Sequence, residues 1–462
     1  MARHPSRHLG PLPTFIGSEQ PLARYVARPV LRFIEREVAS GVLLLAATLI
    51  ALVWANVGHS YHDVWFTEFE IVVGSWSLEL HLEEVVNDGL MTLFFFVVGL
   101  EIKRELTVGE LCDRRAAALP GIAALGGMVV PALIFIAANR GAGDGAIDGW
   151  GVPMATDIAF ALGVIALLGS RVSPQLKLFL LTLAIVDDIG AIVVVALFYT
   201  SDVDVYWLAL AVAALALIRA MAEARVWAIA AYVVIGLFVW YATWRSGVHA
   251  TIAGVALGLM TPAFPLLGRD EADRIARELP DDPHPEEISA SAFRLRNSVG
   301  VAQRLENALH PWTSFLVVPI FALANAGIQI DGDAVADAAS SSITWGIVLG
   351  LVLGKPLGVV AFTWIATRFG FRLPAGVSWR QFIGLGAAAG IGFTVSIFIS
   401  GLAYEDGAQV QQAKLGILLA SFIAAGLALL VLATAPKAST DDNAESHPAD
   451  PDDNELEAAG TV

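Results

Sequence analysis

Charged side chains are scarce in this sequence: Asp, Glu, Lys and Arg make up 16 % of its 462 residues, against about 25 % in an ordinary soluble domain. Basic residues are fewer than acidic residues, 28 against 44, and the net charge is −16. This excludes a nucleic-acid-binding protein, which needs a basic face for phosphates. The single cysteine, Cys112, excludes a disulfide scaffold and a cysteine-rich metal site.

Long apolar runs dominate what is present, and hydrophobic residues make up 56 % of the chain. A run of about 18 apolar residues can cross a bilayer as a helix, and helices that are apolar on every face have no surface for water. The sequence therefore predicts an all-α integral membrane protein with twelve transmembrane helices rather than soluble domains. Their predicted limits are 39–57, 86–102, 116–138, 150–169, 175–199, 204–221, 225–243, 246–262, 312–329, 344–367, 380–402 and 411–435.

The basic residues indicate how these helices are oriented. When the predicted loops are assigned alternately to the two sides of the membrane, 24 of the 28 Lys and Arg residues fall on the side that holds both termini. Because short cytoplasmic loops carry the excess of basic residues, both termini are predicted to be cytoplasmic.

Four segments lie outside the predicted helices. Residues 1–38 form a cytoplasmic N-terminal segment, too long and too charged for a signal peptide. Residues 66–82 are predicted to form an extracytoplasmic β-hairpin, whose open edge suits pairing with a second copy in a homodimer. Residues 264–308 form a long cytoplasmic loop, and residues 437–462 form an acidic C-terminal tail that is predicted to be disordered.

Four charged residues lie near the middle of predicted spans: Asp157, Asp187, Asp188 and Lys355. A charge at mid-membrane costs about 2.5–3.5 kcal/mol, so the four together cost about 10–14 kcal/mol if unpaired. Such residues are functional hypotheses by default. A structural ion pair with Lys355 explains one aspartate, but it does not explain two adjacent carboxylates, which repel each other.

Asp187 and Asp188 point about 100° apart on a helix, so one can face a cavity while the other faces a neighbouring helix. Two carboxylates in a poorly hydrated place cannot both ionise easily, and their titrations are coupled. A bound cation favours the ionised pair and expels protons, and protons in turn expel the cation. That competition is sufficient chemistry for cation/proton exchange. Oxygen ligands suit a hard ion such as Na⁺ or Li⁺, and the lack of His or Cys beside the pair argues against zinc.

Two predicted spans carry helix-breaking residues. The fourth contains Gly151 and Pro153, and the eleventh contains Gly386, Gly390 and Gly392. Interrupted helices at membrane depth are tolerated where they line a cavity, and broken helices in corresponding halves point to a transporter's binding site. Each is the middle helix of a triplet, spans 3–5 and 10–12, and the two triplets run in opposite directions, which predicts inverted repeats.

Several stretches resemble the NhaA-type sodium/proton antiporter family. They follow one another with the family's order and spacing from about residue 40 to 436: NDGLMTLFFFVVGLEIKREL, ATDIAFALGVIALLGSRV, LAIVDDIGAIVVVALFYT, SGVHATIAG, FALANAG, GKPLG and GIGFTVSIFI. The family is itself an established example of inverted repeats. The resemblance implies a transmembrane antiporter domain over residues 39–436, in which the unwound spans 4 and 11 cross. It also implies electrogenic export of cytoplasmic Na⁺ or Li⁺ for more than one H⁺, activated at alkaline pH, serving sodium and pH homeostasis at the bacterial inner membrane without a cofactor.

The resemblance also implies roles for individual residues. Asp188 matches the principal cation ligand, and Asp187 matches its partner in cation and proton binding. Asp157 and Thr156 match the pair at the unwound helix that faces the crossing, and both are expected to take part in cation and proton binding. Lys355 matches a residue that compensates the helix dipoles there and pairs with an aspartate. The positions that match pH-sensing residues are Glu101, Lys103, Arg104, Glu105, His249, Glu306 and His310, and Asp88 matches an acidic position on the cation's path.

Other interpretations remain open at this point. An intramembrane aspartyl protease is expected to carry a GxGD motif, but GIGF has Phe393 in place of the aspartate, and the two aspartates are adjacent rather than on separate helices. A channel, or a transporter that couples an organic solute to a cation, also uses membrane carboxylates, although the lack of an aromatic cage favours bare ions. Lys103 and Arg104 also fit as ordinary positive-inside residues. The sequence favours a secondary transporter over an enzyme.

Overall fold

The computed structural model describes residues 38–435 except for gaps at 74–75, 144, 201, 225, 227–228, 266–273, 275–283, 297 and 375. The predictions made for residues 1–37, for much of the loop 264–308 and for the tail 437–462 lie outside the described residues.

The described part of the chain is predominantly helical. Its α-helices are Val38–Asn56, Ser60–Trp65, Leu82–Thr107, Arg114–Ala138, Ile158–Ala166, Pro174–Phe198, Val205–Glu223, Ile229–Arg245, Thr251–Met260, Pro285–Arg296, Val301–Asn325, Gly332–Ser340, Ser342–Arg368, Trp379–Ala389, Phe393–Ala403 and Gly407–Ala433. Three of them contain a single π-helical turn, at Val85–Leu90, Thr313–Val317 and Gly350–Gly354. A 3₁₀ helix covers Ala146–Met154. Such π turns are frequent at functional sites. The turn Val85–Leu90 includes Asp88, and the turn Gly350–Gly354 ends directly before Lys355.

Polar side chains fix where several of these helices begin. Ser173 accepts a hydrogen bond from the N–H of Leu176 ahead of Pro174, and Asp406 accepts one from the N–H of Ala408. Ser378 forms a capping box with Gln381. These caps satisfy the N–H groups that the first turn of a helix leaves without partners.

The described residues contain eight to ten candidate membrane spans, fewer than the twelve predicted. Eight single helices are long and apolar enough, and two bent helix pairs bring the number to ten. The predicted span 246–262 contains only the ten-residue helix Thr251–Met260, because residues 246–250 form a turn. The predicted span 225–243 contains Ile229–Arg245, of 17 residues. The count of twelve is therefore not confirmed.

One predicted boundary is wrong. The span predicted at 312–329 is the helix Val301–Asn325, which begins eleven residues earlier and ends before the predicted limit. Its first turns carry Arg304 and Glu306, and these polar residues ended the apolar run in the sequence pattern.

The two bent pairs coincide with the predicted fourth and eleventh spans. The first broken span is Ala146–Met154 plus Ile158–Ala166, with a bend of 46°, and the second broken span is Trp379–Ala389 plus Phe393–Ala403, with a bend of 43°. Residues 151–157 and 384–400 are buried throughout. Both breaks therefore place backbone polar groups where water cannot satisfy them.

Glycines let neighbouring helices approach closely around these breaks. Gly99 of the helix Leu82–Thr107 lies against Gly258, and a Cβ at Gly254 would collide with the carbonyl oxygen of Thr92. Gly126 and Gly358 meet in the same way, since a Cβ on either would collide with the other's carbonyl oxygen. Small residues at such crossings are the usual means of packing helices in membranes.

A two-stranded antiparallel sheet precedes the helix Leu82–Thr107. The strands Glu68–Val73 and Trp76–His81 pair with Phe69 opposite Leu80. The connecting residues Gly74 and Ser75 lie outside the described residues. Phe66 and Phe69 at the start of the hairpin are exposed.

Candidate functional site

The two helix breaks lie against each other, and Asp157 joins them. It caps the helix Ile158–Ala166, where its Oδ1 accepts the N–H of Phe160 at 2.9 Å. Its Oδ2 accepts both the N–H (3.1 Å) and the hydroxyl (2.5 Å) of Thr394, in the first turn of Phe393–Ala403. Its own N–H donates to the carbonyl oxygen of Ile391 at 2.7 Å. One carboxylate therefore serves the N-termini of two half-helices, each of which carries a partial positive charge.

Asp187 belongs to a buried polar network. Its Oδ2 lies 2.9 Å from Lys355 Nζ in an ion pair in which both side chains are fully buried. The Thr156 hydroxyl lies 2.8 Å from the same Oδ2 and 2.9 Å from the carbonyl oxygen of Ala389. Lys355 Nζ also donates to the carbonyl of Met154. Each of these carbonyls ends a half-helix before its break, where the helix dipole is negative, so the ammonium and the hydroxyl lie where donors are needed.

Asp188 faces away from this network. It lines a cavity of about 10 Å³, room for about one water molecule, together with Phe95, Thr251 and Phe398. Its Oδ1 is buried and has no hydrogen-bond partner among the described residues, and the same holds for Oδ1 of Asp187. Each aspartate thus keeps one carboxylate oxygen available to a proton or a cation. The two side chains leave the helix about 100° apart around its axis.

Most of the predicted pH-sensing residues gather around Arg104. Its Nη2 lies 2.8 Å from Glu105 Oε1, and its Nη1 lies 2.5 Å from Glu306 Oε1 on the helix Val301–Asn325. Glu306 Oε2 is buried without a hydrogen-bond partner in the described part of the chain. Glu101 and His310 are close enough to interact electrostatically with Arg104. The five residues form one charged group, called here the Arg104 cluster.

The remaining predicted residues lie elsewhere. His249 Nε2 lies 2.6 Å from the carbonyl oxygen of Tyr199, at the end of the helix Pro174–Phe198. Asp88 is half-buried, and its carbonyl oxygen accepts the indole N–H of Trp240 at 2.9 Å. Lys103 is half-buried beside the Arg104 cluster. The structure does not join His249 or Asp88 to the aspartate pair by a direct contact.

Four groups at the site were not predicted as site residues. Thr394 directly follows the glycine-rich GIGF sequence, which was a usable signal. Thr251 lines the Asp188 cavity, but a lone threonine in an apolar stretch carries no signal. The carbonyls of Met154 and Ala389 are backbone acceptors, which a side-chain pattern cannot reveal.

Comparison with known proteins identifies the family. Residues 31–432 match the family described as Na⁺/H⁺ antiporter 1. The chain belongs to this family. It is 44 % identical over 426 residues to "Na(+)/H(+) antiporter NhaA 2" of Myxococcus xanthus, an alignment covering 89 % of this chain and 90 % of that protein. It is 43 % identical over 434 residues to "Na(+)/H(+) antiporter NhaA" of Rhodopirellula baltica, covering 90 % and 96 %.

The resemblance predicted from the sequence is therefore confirmed. The relative from Oleidesulfovibrio alaskensis, also named "Na(+)/H(+) antiporter NhaA", is 44 % identical over 423 residues, covering 88 % of this chain and 93 % of that protein. Together with the apolar helices, family membership indicates a multi-pass membrane protein.

The contact of Thr394 with Asp157 yields a first prediction. Thr394→Val removes a hydroxyl that donates to a buried carboxylate, so the free energy of unfolding should fall by about 1.5–3 kcal/mol. The measurement is reversible unfolding in mixed detergent micelles.

Thr363→Val is the matched control, because the Thr363 hydroxyl is fully buried and has no hydrogen-bond partner among the described residues. That variant should be as stable as the parent or slightly more stable. Equal losses in the two variants would mean that the Thr394–Asp157 bond does not stabilise the break.

Proposed function

We propose that the protein is a Na⁺/H⁺ antiporter, with Asp187 and Asp188 as the site where Na⁺ and protons compete. The observation that carries the proposal is the pair of buried carboxylates, each with an oxygen that has no hydrogen-bond partner among the described residues. Carboxylate oxygens suit a hard cation, and protons compete with a cation for the same oxygens. Na⁺, Li⁺ and H⁺ are substrates of this site, and no resident cofactor takes part.

Lys355 makes the exchange electrogenic. Its ammonium holds Asp187 Oδ2 at 2.9 Å. A Na⁺ that binds both aspartates takes the place of Lys355 at Asp187, so the ammonium and the Asp188 carboxyl each release a proton. Two protons then exchange for one Na⁺, and one net positive charge enters per cycle. A membrane potential drives that charge with about 2.3 kcal/mol per 100 mV.

Asp157 and Thr156 support the site rather than close around the ion in the described arrangement. Both oxygens of Asp157 accept hydrogen bonds from the half-helix N-termini, whereas Thr156 donates toward Asp187. Movement of the two broken spans relative to each other changes these contacts. That movement alternates the access of Asp187 and Asp188 between the two sides of the membrane.

The Arg104 cluster is the proposed origin of activation at alkaline pH. Glu101 interacts electrostatically both with Glu306 in the cluster and with Asp188. A change in protonation of the cluster therefore changes the field at the cation site directly. Lys103 directly precedes Arg104 in the sequence. His249 is proposed as a pH-sensing residue outside the cluster, and Asp88 is proposed to lie on the cation's path.

The proposed setting is the bacterial inner membrane, with both termini in the cytoplasm. The basic residues concentrate on the side of the termini, as expected for cytoplasmic loops. Export of Na⁺ in exchange for H⁺ from that compartment serves sodium and pH homeostasis.

Replacement of Asp188 tests the site. In inside-out membrane vesicles that hold an acid-inside pH gradient, Na⁺ or Li⁺ should collapse the gradient, K⁺ should not, and the response should grow toward alkaline pH. Asp188→Asn should abolish the response, because it removes the charge that binds the cation.

Asp333→Asn is the control: it makes the same chemical change at an exposed position and should leave exchange unchanged. Normal exchange by Asp188→Asn at parental expression would contradict the assignment. A parent that never responds to Na⁺ would contradict the antiport function itself.

Replacement of Lys355 tests the charge balance. Lys355→Gln removes the ammonium that carries one of the two exchanged protons. One H⁺ is then exchanged for one Na⁺, so the remaining exchange should become electroneutral. In proteoliposomes, an imposed potassium diffusion potential should accelerate Na⁺ uptake by the parent and leave uptake by the variant unchanged. Full voltage dependence in the variant would show that another residue carries the second proton.

A homodimer through residues 66–82 is the proposed assembly. A two-stranded sheet leaves an edge on each strand, and Phe66 and Phe69 are exposed beside it. Replacement of residues 68–81 by a short Gly–Ser linker should halve the protein mass measured by light scattering in detergent. A parent that is already monomeric, or a variant that stays dimeric, would reject this interface.

A further inference from the structure

Basic residues collect at the end of the molecule where the helix Gly407–Ala433 finishes. Arg171 Nη1 donates to the carbonyl oxygen of Ala433 at 2.5 Å. Gly384, one turn after Arg380 on the same helix, lies against Leu432, because a Cβ there would meet the leucine side chain. Arg171 and Arg380 therefore both lie near this helix end, and both are exposed.

Two further arginines follow on the neighbouring segment. Arg368 lies at the end of the helix Ser342–Arg368, and its guanidinium carbon lies 4.7 Å from the centroid of the Trp364 ring. Arg372 is exposed in the loop that leads to Trp379. A guanidinium stacked on a ring keeps its N–H edge available for carboxylates. Arg171, Arg368, Arg372 and Arg380 are called here the arginine patch.

The chain segments that carry this patch contain no acidic residues. Residues 158–186, 338–404 and 407–440 contain neither Asp nor Glu. These segments are therefore basic at the ends of both broken spans, one leading to Arg171 and the other beginning beside Arg380.

The chain continues from this place into its most acidic segment. Residues 441–457 carry eight Asp and Glu residues and no Lys or Arg. Asp441 is eight residues beyond Ala433, a reach of at most about 26–29 Å. A segment attached this close to its target binds with an effective concentration in the millimolar range, which offsets the weakness of each exposed ion pair.

We propose that the acidic tail, residues 441–457, binds the arginine patch of its own chain. The observations that carry this are the charge complementarity and the bond by which Arg171 holds the helix end from which the tail departs. A tail bound there contacts the ends of both broken spans and of the helix Gly407–Ala433 at once. Its binding weakens as ionic strength rises, because the screening length falls from about 10 Å at 0.1 M salt to about 3 Å at 1 M.

The experiment reports the position of the tail through tryptophan quenching and does not depend on transport. In a Cys112→Ser background, a bimane dye is attached to Ala444→Cys in the full-length protein in zwitterionic nanodiscs. Trp364 and Trp379, both exposed, lie beside the patch and quench a dye that comes into contact with them. Bimane fluorescence should be quenched at low salt and recover at 1 M salt, and Trp364→Phe with Trp379→Phe should remove the quenching.

Neutralisation of the patch gives the decisive comparison. Arg372→Gln with Arg380→Gln should abolish the quenching at low salt. Arg140→Gln with Arg219→Gln removes the same charge from exposed positions away from the patch and should leave the quenching intact. Equal fluorescence at low and high salt, or quenching that survives in Arg372→Gln with Arg380→Gln, would overturn the proposal. Retention of phosphatidylglycerol by the parent but not by that variant, without any tail quenching, would assign the patch to an anionic lipid instead.

Discussion

Two interrupted helices can lie side by side in the interior because the carboxylate of Asp157 accepts hydrogen bonds from both of them. Water does not reach these breaks, so each free N–H group costs free energy until it finds a partner. Asp157 Oδ1 binds the N–H of Phe160, and Oδ2 binds the N–H and hydroxyl of Thr394. The helices Ile158–Ala166 and Phe393–Ala403 are thereby fixed to each other at their N-termini.

The adjacency of Asp187 and Asp188 then divides two tasks between them. Adjacent side chains on a helix point about 100° apart. Asp187 takes the direction that meets Lys355 and Thr156, where the backbone carbonyls of Met154 and Ala389 also need donors. Asp188 is left facing the cavity. The ion pair therefore belongs to the packing of the breaks as much as to the chemistry of the site, whereas Asp188 is available for chemistry because the packing does not use it.

The sequence alone identified the charged residues of this site, but it did not predict which of them contact each other. Four buried charges and two glycine-rich breaks are local signals, so Asp157, Asp187, Asp188 and Lys355 could be found without coordinates. Which aspartate pairs with Lys355 is a contact between helices distant in sequence, and composition cannot decide it. The family resemblance grouped His249 with the residues around Arg104 as pH-sensing positions. In the structure His249 is not part of the Arg104 cluster, and its side chain contacts the carbonyl oxygen of Tyr199 instead.

The limits of the predicted helices failed for a related reason. Hydropathy measures composition in a window, so the polar first turns around Arg304 and Glu306 hid the beginning of the helix Val301–Asn325. The same method counted the turn at residues 246–250 as part of a span, because that turn lies between two apolar stretches. Backbone hydrogen bonding, not hydropathy, decides where such a helix begins.

The Asp188 cavity shows how the fixed break and the free carboxylate depend on each other. Phe95 lies on the helix Leu82–Thr107, which is held against the helix Thr251–Met260 by contacts through Gly99 and Gly258. Phe398 also lines the cavity and packs against Phe95, with its ring centroid 5.2 Å from that of Phe95. Phe398 is on the same helix as Thr394, and four residues of α-helix span only about 6 Å. Any displacement of the break at Thr394 is therefore carried directly to the wall of the cavity. A cavity of about 10 Å³ cannot admit a hydrated cation, so an ion reaches Asp188 only when that wall moves or the ion loses its water.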